Sequence, residues 1–288
     1  MAYSVSSSEV QPLWEVLGKW TPASLPVYHL IKNSFKSENQ WPSIQIYTDS
    51  NNLETLTSVV CCCENLDPAE YGKCYYLFSR DNEKLRTVLR QPGVIDWNSD
   101  NILFSLLPIS ALPVLVDVGR EHGLQASVEE MYHTYTLANY IDTVYKVSSC
   151  EIPPDFTMAP LKNEHSSTLQ SACQYAASSV ADCPSVERFQ KLIQYMPTLA
   201  IYDDKGSPVS WALIKECGDL SMAYTTVEYQ HHGFTSIVSA NLLKHMLDKG
   251  ESAFIVIGDN DTASILLHTK LGFRRHEDVV TAWFTLSK

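Results

Sequence analysis

The sequence is poor in basic residues for its size. Its 288 residues include 21 Lys and Arg against 33 Asp and Glu, which gives a formal net charge of -12. Nucleic acids and anionic membrane surfaces are bound chiefly through clustered Lys and Arg side chains. The charge balance therefore argues against nucleic acid or a membrane as the main partner, whereas a small anion can still bind through backbone N–H groups.

Long apolar runs are also absent. No stretch approaches the roughly 20 apolar residues that span a bilayer, and the composition, 45% hydrophobic and 19% charged, is that of an ordinary globular protein. The first twenty residues hold one Lys and no Arg, which argues against a strong mitochondrial transit peptide without excluding an atypical import signal. We expect a soluble, monomeric, intracellular protein, mitochondrial or cytoplasmic.

The eight cysteines lack the spacing of a metal site or a disulfide framework. No Cys-x-x-Cys or His-x-x-x-His pair occurs, so we expect no bound metal. Three cysteines are consecutive at 61–63 and follow two valines, a pattern typical of a buried strand in which cysteine acts as a small hydrophobic residue. We therefore expect reduced thiols.

Apolar periodicity predicts alternating helices and strands in the first half of the chain. Helices are predicted at 7–20, after Pro22, at 82–90 and at 109–122, and strands at 43–47, 56–63, 74–78, 101–107 and 125–138. The Pro-Pro pair within residues 147–155 stops any regular element. We place the domain boundary in this linker, which divides the chain into domains 1–150 and 151–288.

The second half predicts the order β-α-α-β-β-β-α-β-α-β. Strands are predicted at 156–160, 199–202, 209–215, 223–227, 253–258 and 279–286, and helices at 163–177, 185–195, 237–250 and 261–271. The turn at 203–208 joins two of these strands as a hairpin. Hairpins mixed with helical crossovers indicate an α/β (α+β) fold, with a mixed sheet that carries helices on both faces.

The stretch 224–234 is the strongest candidate site. It leads from a predicted strand to a predicted helix through a turn that holds Gly233. A helix that follows a strand directly presents unpaired N–H groups and the positive end of its dipole, which suits a phosphate group. Glu228 lies at the strand's exit, beside that point. An anion site next to a carboxylate that can take a proton predicts a phosphate-bearing donor and a nucleophile that must be deprotonated.

Two motifs in this order of elements resemble the GNAT (GCN5-related N-acetyltransferase) superfamily. The pyrophosphate loop of the superfamily, Arg/Gln-x-x-Gly-x-Gly/Ala, matches residues 230–235 except that Thr235 stands at the last position. A second motif, Asn-x-x-Ala-x-x-x-Tyr-x-x-x-Gly-Phe, matches residues 261–273. Here Asp261, Ser264 and His268 stand at the Asn, Ala and Tyr positions. The resemblance implies a GNAT fold in the second half of the chain.

The linear context is similar to glycine N-acyltransferases within that superfamily. The segments that carry this similarity are 204–211, 227–233 and 260–265, together with Ser-Leu-Pro-Val-Tyr at 24–28. One interpretation of residues 1–150 is a smaller, degenerate GNAT-like lobe that shapes the acceptor cleft. The resemblance implies acyl-coenzyme A as co-substrate and an amino acid as acceptor.

The resemblance also implies roles for individual residues. Glu228 is the implied general base, and His268 is either an acid that protonates the departing thiolate or an ordinary helix-surface histidine. An N–H group near 225–227 is the candidate oxyanion donor. The implied coenzyme-binding residues are Thr225, Val227, Gln230, His231, His232, Gly233, Phe234, Thr235, Asp261 and Ser264.

Several of these residues also have a structural interpretation. His231 and His232 are typical exposed loop residues, and Asp261 is a typical N-cap of the following helix. Trp211, Tyr224 and Tyr229 either line the acyl or acceptor pocket or pack in the core. The alternatives therefore stay open for each of them at this point.

The sequence thus predicts an acyl-CoA-dependent N-acyltransferase that conjugates an acyl group to a small amino acid, glycine by resemblance. Two other hypotheses remain: a GNAT that acetylates a peptide or protein amine, and a non-catalytic acyl-CoA-binding protein. The departures at Thr235, Asp261 and His268 are what keep the non-catalytic hypothesis open.

Overall fold

The computed structural model describes residues 1–36, 41–67, 71–137, 141–176 and 183–288. They divide into two compact units: unit 1 comprises Met1–Thr134 and His276–Lys288, and unit 2 comprises Tyr135–Arg275. The predicted domain ranges, 1–150 and 151–288, stay a prediction. Within the described ranges, no helix is long and apolar enough to cross a membrane.

Unit 1 is a mixed sheet with helices packed on it. Its helices are α1 (Val10–Gly18), α2 (Leu25–Lys36), α3 (Asn82–Leu89) and α4 (Leu112–Glu121). Its strands are β1 (Tyr3–Ser4), β2 (Ser43–Thr48), β3 (Ser58–Asp67), β4 (Tyr71–Ser79), β5 (Asn101–Pro108), most of β6 (Gln125–Leu137) and most of β12 (Phe273–Ser287). The strand order is β1-β2-β3-β4-β5-β12-β6. Strands β4 and β5 pair in parallel, whereas β12 pairs with β5 antiparallel.

The core of unit 1 joins the sheet to α3 and α4. Phe104 of β5 and Phe284 of β12 are both fully buried, with ring centroids 5.9 Å apart. The Cys61–Cys63 run lies in β3 as predicted, buried and with none of the three thiols in a disulfide. Burial raises the pKa of the Cys62 thiol to about 11, which keeps it protonated at neutral pH. These cysteines therefore act as small core residues.

Unit 2 contains an antiparallel sheet and the helices around it. Its strands are β7 (Thr157–Ala159), β8 (Thr198–Tyr202), β9 (Pro208–Ile214), β10 (Leu220–Thr225) and β11 (Phe254–Gly258), and its helices are α5 (Ile141–Ser148), α6 (Ser166–Ala176), α7 (Val186–Tyr195), α8 (Phe234–Asp248) and α9 (Thr262–Lys270). The sheet order is β10-β9-β8-β7. Sequence analysis missed α5, whose last residues fall in the predicted linker at 147–155.

The same order of elements occurs twice among the described residues. The succession β-α-α-β-β-β-α-β-α-β runs from β1 to β6 and again from β7 to β12. The final strands are exchanged: β12, the last strand of the second series, pairs with β5 in unit 1. In unit 2 the Leu137 N–H, at the end of β6, donates to the Ala253 carbonyl beside β11 (3.3 Å). The second series therefore gives most of its last strand to unit 1, whereas the first series gives only the end of β6 to unit 2.

The two series differ at the connection that follows their fourth strand. Arg80 and Asp81 alone separate β4 from α3, whereas residues 226–233 separate β10 from α8. The Asp81 carboxylate accepts the N–H groups of Glu83 and Lys84 and so occupies the N-terminus of α3. A bound anion has no place there, because a carboxylate already takes those donors. The first series therefore has no open helix N-terminus at this point, and the interpretation of residues 1–150 as a degenerate GNAT-like lobe stays a prediction.

Element boundaries near the candidate site differ from those predicted. Strand β10 ends at Thr225 instead of 227, because the Tyr229 N–H bonds back to the Thr226 carbonyl and turns the chain into a short 3-10 helix. Helix α8 begins at Phe234, directly after Gly233, and so earlier than the predicted start at Ile237. Its first turn contains polar residues, which the apolar periodicity does not mark. The predicted strand end at 138 and helix end at 177 lie outside the described residues.

Candidate functional site

Strand β10 offers an unpaired edge in unit 2. It pairs with β9 on one side, and within the described residues it meets β11 only through a parallel bridge from Asp219 to Phe254. The β9 pairing shifts between Ser221 and Tyr224, where Met222 adopts a left-handed φ of 53°. Such a bulge turns backbone groups away from the ladder. The middle of β10 is half-buried, so an extended ligand can lie along this edge.

The end of β10 supplies one candidate oxyanion donor. The Thr226 N–H donates to the Val209 carbonyl of β9 (2.9 Å) and is not available to a ligand. Because successive N–H groups of a strand point in opposite directions, the Thr225 N–H points to the unpaired edge. The Thr225 carbonyl faces the same edge and accepts from the Gln230 side chain (3.3 Å). This excludes the Thr226 N–H and leaves those of Thr225 and Val227 as the predicted oxyanion donors.

A chain of three hydroxyl groups locks β9, β10 and α8 together. The Ser210 hydroxyl donates to the Tyr224 carbonyl (3.1 Å), so it must accept from Thr225 (2.8 Å). Thr225 has then used its proton and accepts from the Thr235 hydroxyl (2.6 Å). Thr235, the departure from the superfamily motif, therefore directs its proton into the protein. It positions the first turn of α8 and has no proton left for a phosphate.

Two replacements of Thr235 distinguish the contribution of its hydroxyl group from that of its branched shape. We expect Thr235→Val to lower the free energy of unfolding by about 1 kcal/mol, because it removes one hydrogen bond and keeps the β-branch. Thr235→Ser keeps the hydroxyl and should stay close to the wild type. Urea unfolding of the two variants side by side checks this. Equal stability of Thr235→Val and the wild type would contradict the hydroxyl chain.

Residues 226–233, which we call the cradle loop, shape an anion site at α8. His231 and Gly233 both adopt left-handed backbone conformations, with φ of 66° and 79°. The Ile237 N–H is bonded to the Gly233 carbonyl. The N–H groups of Phe234, Thr235 and Ser236 belong to the first turn of α8 and have no acceptor within the helix. They therefore remain available to a ligand. They face the position of a phosphate at the helix N-terminus.

The side chains of the cradle loop hold the loop itself. Gln230 bonds the Thr225 carbonyl, and the His232 Nδ1 lies 2.9 Å from the Gln230 carbonyl, to which it must donate. Both His231 and His232 are exposed. Their predicted contact with a coenzyme stays a prediction, and main-chain N–H groups are the better anion donors in this geometry.

Gly233 tests the importance of the loop's backbone. An alanine Cβ at Gly233 meets no atom within 4 Å, so Gly233→Ala acts through its φ of 79° alone. We expect a loss of about 1–2 kcal/mol in stability and weaker coenzyme A binding, because an L-residue resists this conformation. Gly206, in the hairpin turn, has a φ of 78° and the same open space, which makes Gly206→Ala the matched control.

The Gly206→Ala variant should lose similar stability yet bind coenzyme A like the wild type. Isothermal titration with coenzyme A and thermal unfolding of both variants make the comparison. Equal coenzyme A affinity of Gly233→Ala and Gly206→Ala would show that the left-handed residue does not shape the anion site.

Glu228 lies in the 3-10 helix Val227–Tyr229, at the start of the cradle loop. Its side chain is exposed, and within the described part of the chain it has no hydrogen-bond or ion-pair partner. Val227 beside it is 57% exposed, which leaves the approach to the carboxylate open. A carboxylate that is free of structural bonds is available to accept a proton from a ligand.

His268 is not the surface histidine that one prediction allowed, because it is 2% exposed on α9. Its Nδ1 donates to the Ser264 carbonyl (2.8 Å), and its ring packs edge-on against Phe273. The neutral ring therefore carries its proton on Nδ1, while Nε2 is buried and has no partner among the described residues. Burial lowers the pKa of His268. Both facts disfavour the acid role, which stays a prediction.

The N-terminus of α9 is closed by its own residues. The Asp261 carboxylate accepts the Ser264 N–H (2.9 Å), as the N-cap interpretation expects. Contact of Asp261 or Ser264 with a coenzyme stays a prediction. The structure shows no hydrogen bond between Glu228 and His268 among the residues it describes. It joins β10, the cradle loop and α8 by direct contacts and leaves α9 outside that network.

Sequence analysis missed two residues that hold this site. Ser210 ends the hydroxyl chain, and Phe156 packs against the rings of Tyr229 and Phe234. Ser210 lies in the 204–211 segment but was given no role there, and Phe156 belongs to no motif; the pairing register of the hairpin would have indicated Ser210. Trp211 is buried with its ring 5.3 Å from that of Tyr224, which favours core packing for Trp211.

Metal ligands are not grouped in the described ranges. There, no cluster of three or more His, Cys, Asp or Glu side chains is placed to hold a metal ion. The candidate site therefore consists of main-chain donors, hydroxyl groups and one exposed carboxylate.

Comparisons with known proteins point in one direction. The family model described as FR47-like protein matches residues 198–284. The chain is 22% identical to human glycine N-acyltransferase-like protein 2, over 93% of this chain and 92% of that protein. It is 21% identical to human glycine N-acyltransferase, over 95% and 94%, and 25% identical to the rat glycine N-acyltransferase-like protein Keg1, over 86% of each.

Solved structures show the same fold. The X-ray structure of a Drosophila protein superposes with a TM-score of 0.81 at 17% identity, over 99% of this chain and 98% of that one. A tandem GNAT protein from the clavulanic acid biosynthesis pathway superposes with a TM-score of 0.55 at 10% identity, over 99% and 98%. The α/β fold of GNAT type and the resemblance to glycine N-acyltransferases are confirmed.

Proposed function

We propose that this GNAT-fold chain, similar over its length to glycine N-acyltransferases, is an acyl-CoA-dependent N-acyltransferase that conjugates an acyl group to the amine of a small amino acid, glycine in the first instance. One observation carries the proposal. The exposed Glu228 carboxylate lies in the same short loop that presents the free N–H groups at the start of α8. A proton acceptor and an anion site thus share one segment.

Coenzyme A fits the groups present at this segment. Its pyrophosphate would be held by the N–H groups at 234–236, and its pantetheine arm would lie along the unpaired edge of β10. When bound, the thioester supplies an activated acyl carbon. The Thr225 N–H would then stabilise the negative charge that develops on the carbonyl oxygen.

Glu228 would take a proton from the acceptor ammonium. An amino acid amine is mostly protonated near neutral pH, and only the free amine has the lone pair that attacks a thioester. The amine nitrogen forms the bond to the acyl carbon, the bond from carbon to sulfur breaks, and coenzyme A leaves as a thiolate, which takes up the proton that the nitrogen loses as the amide forms. Since a thiolate is a good leaving group, the mechanism needs no strong acid, in agreement with the buried, unprotonated Nε2 of His268.

A thiol-release screen tests the function directly. Purified full-length protein is incubated with a panel of acyl-CoAs crossed with free amino acids, short peptides and an acetylatable protein, and free coenzyme A thiol is measured. We expect release with at least one acyl-CoA and a small amino acid, glycine above the others. Release with peptide or protein amines alone would replace the proposed acceptor, and tight coenzyme A binding without release would favour the non-catalytic hypothesis.

A further inference from the structure

Phe156 contacts the middle of the cradle loop and the first residue of α8. Its ring centroid lies 5.7 Å from that of Tyr229 and 4.9 Å from that of Phe234, both in edge-on geometry. Tyr229 is the neighbour of Glu228 in the chain, and Phe234 is the first residue of α8. One side chain thus touches the residue beside the carboxylate and the residue at the anion site.

The loop is held both by its own polar side chains and by Phe156. The Gln230 and His232 side chains bond main-chain carbonyls in or beside the loop. Phe234 is buried and Tyr229 and Thr226 are half-buried, whereas Val227, Glu228 and the residues from 230 to 233 are exposed. The Phe156 N–H donates to the Pro153 carbonyl (3.0 Å) in a turn at the end of the predicted linker. The ring contacts of Phe156 therefore contribute to the distance between Glu228 and the start of α8.

We propose that Phe156 is a positioning residue for the acyl-CoA site, holding Glu228 and the start of α8 in register through Tyr229 and Phe234. The inference rests on the proposed function, since it assigns a role within that site. Edge-on aromatic pairs contribute beyond their buried area, and here two such pairs share one ring. Loss of the ring should loosen the loop without removing any group that touches a substrate.

The test replaces Phe156 by Leu and by Tyr. We expect Phe156→Leu to weaken coenzyme A binding by about tenfold and to lower kcat. One lost ring pair holds Phe234 at the anion site, and the other holds Tyr229 beside Glu228. Phe156→Tyr keeps the ring and should restore both values. Trp97→Leu is the matched control: Trp97 is also half-buried and stacks on His122 at 4.6 Å, but it belongs to unit 1.

Calorimetry with coenzyme A, initial rates and melting temperatures are measured for all four proteins. If Phe156 has a purely structural role, Phe156→Leu and Trp97→Leu should lower the melting temperature alike. At temperatures well below melting, both variants should then bind coenzyme A with wild-type affinity. That result would overturn the proposal. A wild type that does not bind coenzyme A would overturn the proposed function and this inference together. Binding by the wild type and equally by Phe156→Leu would overturn only the inference.

Hydrogen exchange of the wild type gives a readout that does not depend on folding of the variants. Binding of coenzyme A should slow exchange in residues 226–235 and also in 155–157, since the ring couples the two segments. Protection confined to 226–235 would contradict the coupling.

Discussion

Replacing Glu228 with Gln should lower kcat by about two to four orders of magnitude, the usual contribution of a general base. The amide has nearly the shape of the carboxylate but accepts no proton from the acceptor ammonium. Coenzyme A affinity should stay unchanged, because the N–H groups at the start of α8 do not depend on this side chain. Steady-state rates and calorimetry on the same preparation separate the two effects.

The pH profile identifies the reason for the loss. Without a base, only the fraction of acceptor that solvent has already deprotonated can react, so the remaining rate should keep rising with pH and the optimum should move upward. Glu54, an exposed glutamate in a turn of unit 1, supplies the control variant Glu54→Gln, which should match the wild type. If Glu228→Gln keeps wild-type kcat and pH profile, Glu228 takes no part in proton transfer.

The local chemistry of the site could be predicted because it depends on neighbours in the chain. A glycine between a strand and a helix, with a glutamate shortly before it, marks the cradle loop without any tertiary information. The pattern misplaced the end of β10 because Val227 has a high strand propensity, whereas the bond from Tyr229 to Thr226 turns the backbone there. A local turn hydrogen bond outweighed strand propensity at this position.

Long-range partners could not be predicted. From sequence Thr235 is only a departure from the superfamily motif. The register of β9 with β10 is what places Ser210 where it completes the hydroxyl chain. In the same way, the residues of β12 favour a strand, and nothing in their sequence indicates β5 as its partner. Local periodicity fixes which residues form a strand, but pairing depends on residues far away in the chain.

Deleting residues 276–288 should unfold unit 1. This segment places Phe284 and Leu286, both fully buried, in the core cluster with Phe104. Truncating one buried Phe or Leu to Ala costs about 2–5 kcal/mol, and a whole domain is stable by only about 5–15 kcal/mol. The loss of two such side chains together with the ladder to β5 therefore exceeds what the unit can withstand.

Close packing around β12 supports a large effect. A Cβ built on Gly119 of α4 would come within 2.8 Å of the Leu286 side chain, so helix and strand are in direct contact. The chain end is fixed as well: the Lys288 ammonium lies 2.7 Å from the Asp100 carboxylate and 2.9 Å from the Asn98 carbonyl. The exposed ion pair adds little, and the apolar contacts carry the stability.

The deletion is best compared with removal of residues 1–4. That control removes β1, an edge strand of two partly exposed residues, and should leave the melting temperature within a few degrees of the wild type. For the 276–288 deletion we expect loss of the cooperative transition and of near-ultraviolet circular dichroism. Leu286→Ala, a milder variant, should cost about 2–5 kcal/mol and keep the fold, which gives a measurable value if the deletion yields no soluble protein.

The same loss of folding is expected when the two predicted domains are produced as separate fragments. A fragment 1–150 lacks β12, the partner of β5, and a fragment 151–288 lacks the end of β6 that bonds Ala253. Each fragment therefore exposes a strand edge and an uncovered core, and neither should fold alone. Mixing the two fragments should restore a cooperative transition. A stable, monomeric 151–288 fragment that binds coenzyme A would show that the exchanged strands are dispensable and that the linker at 147–155 divides two independent domains.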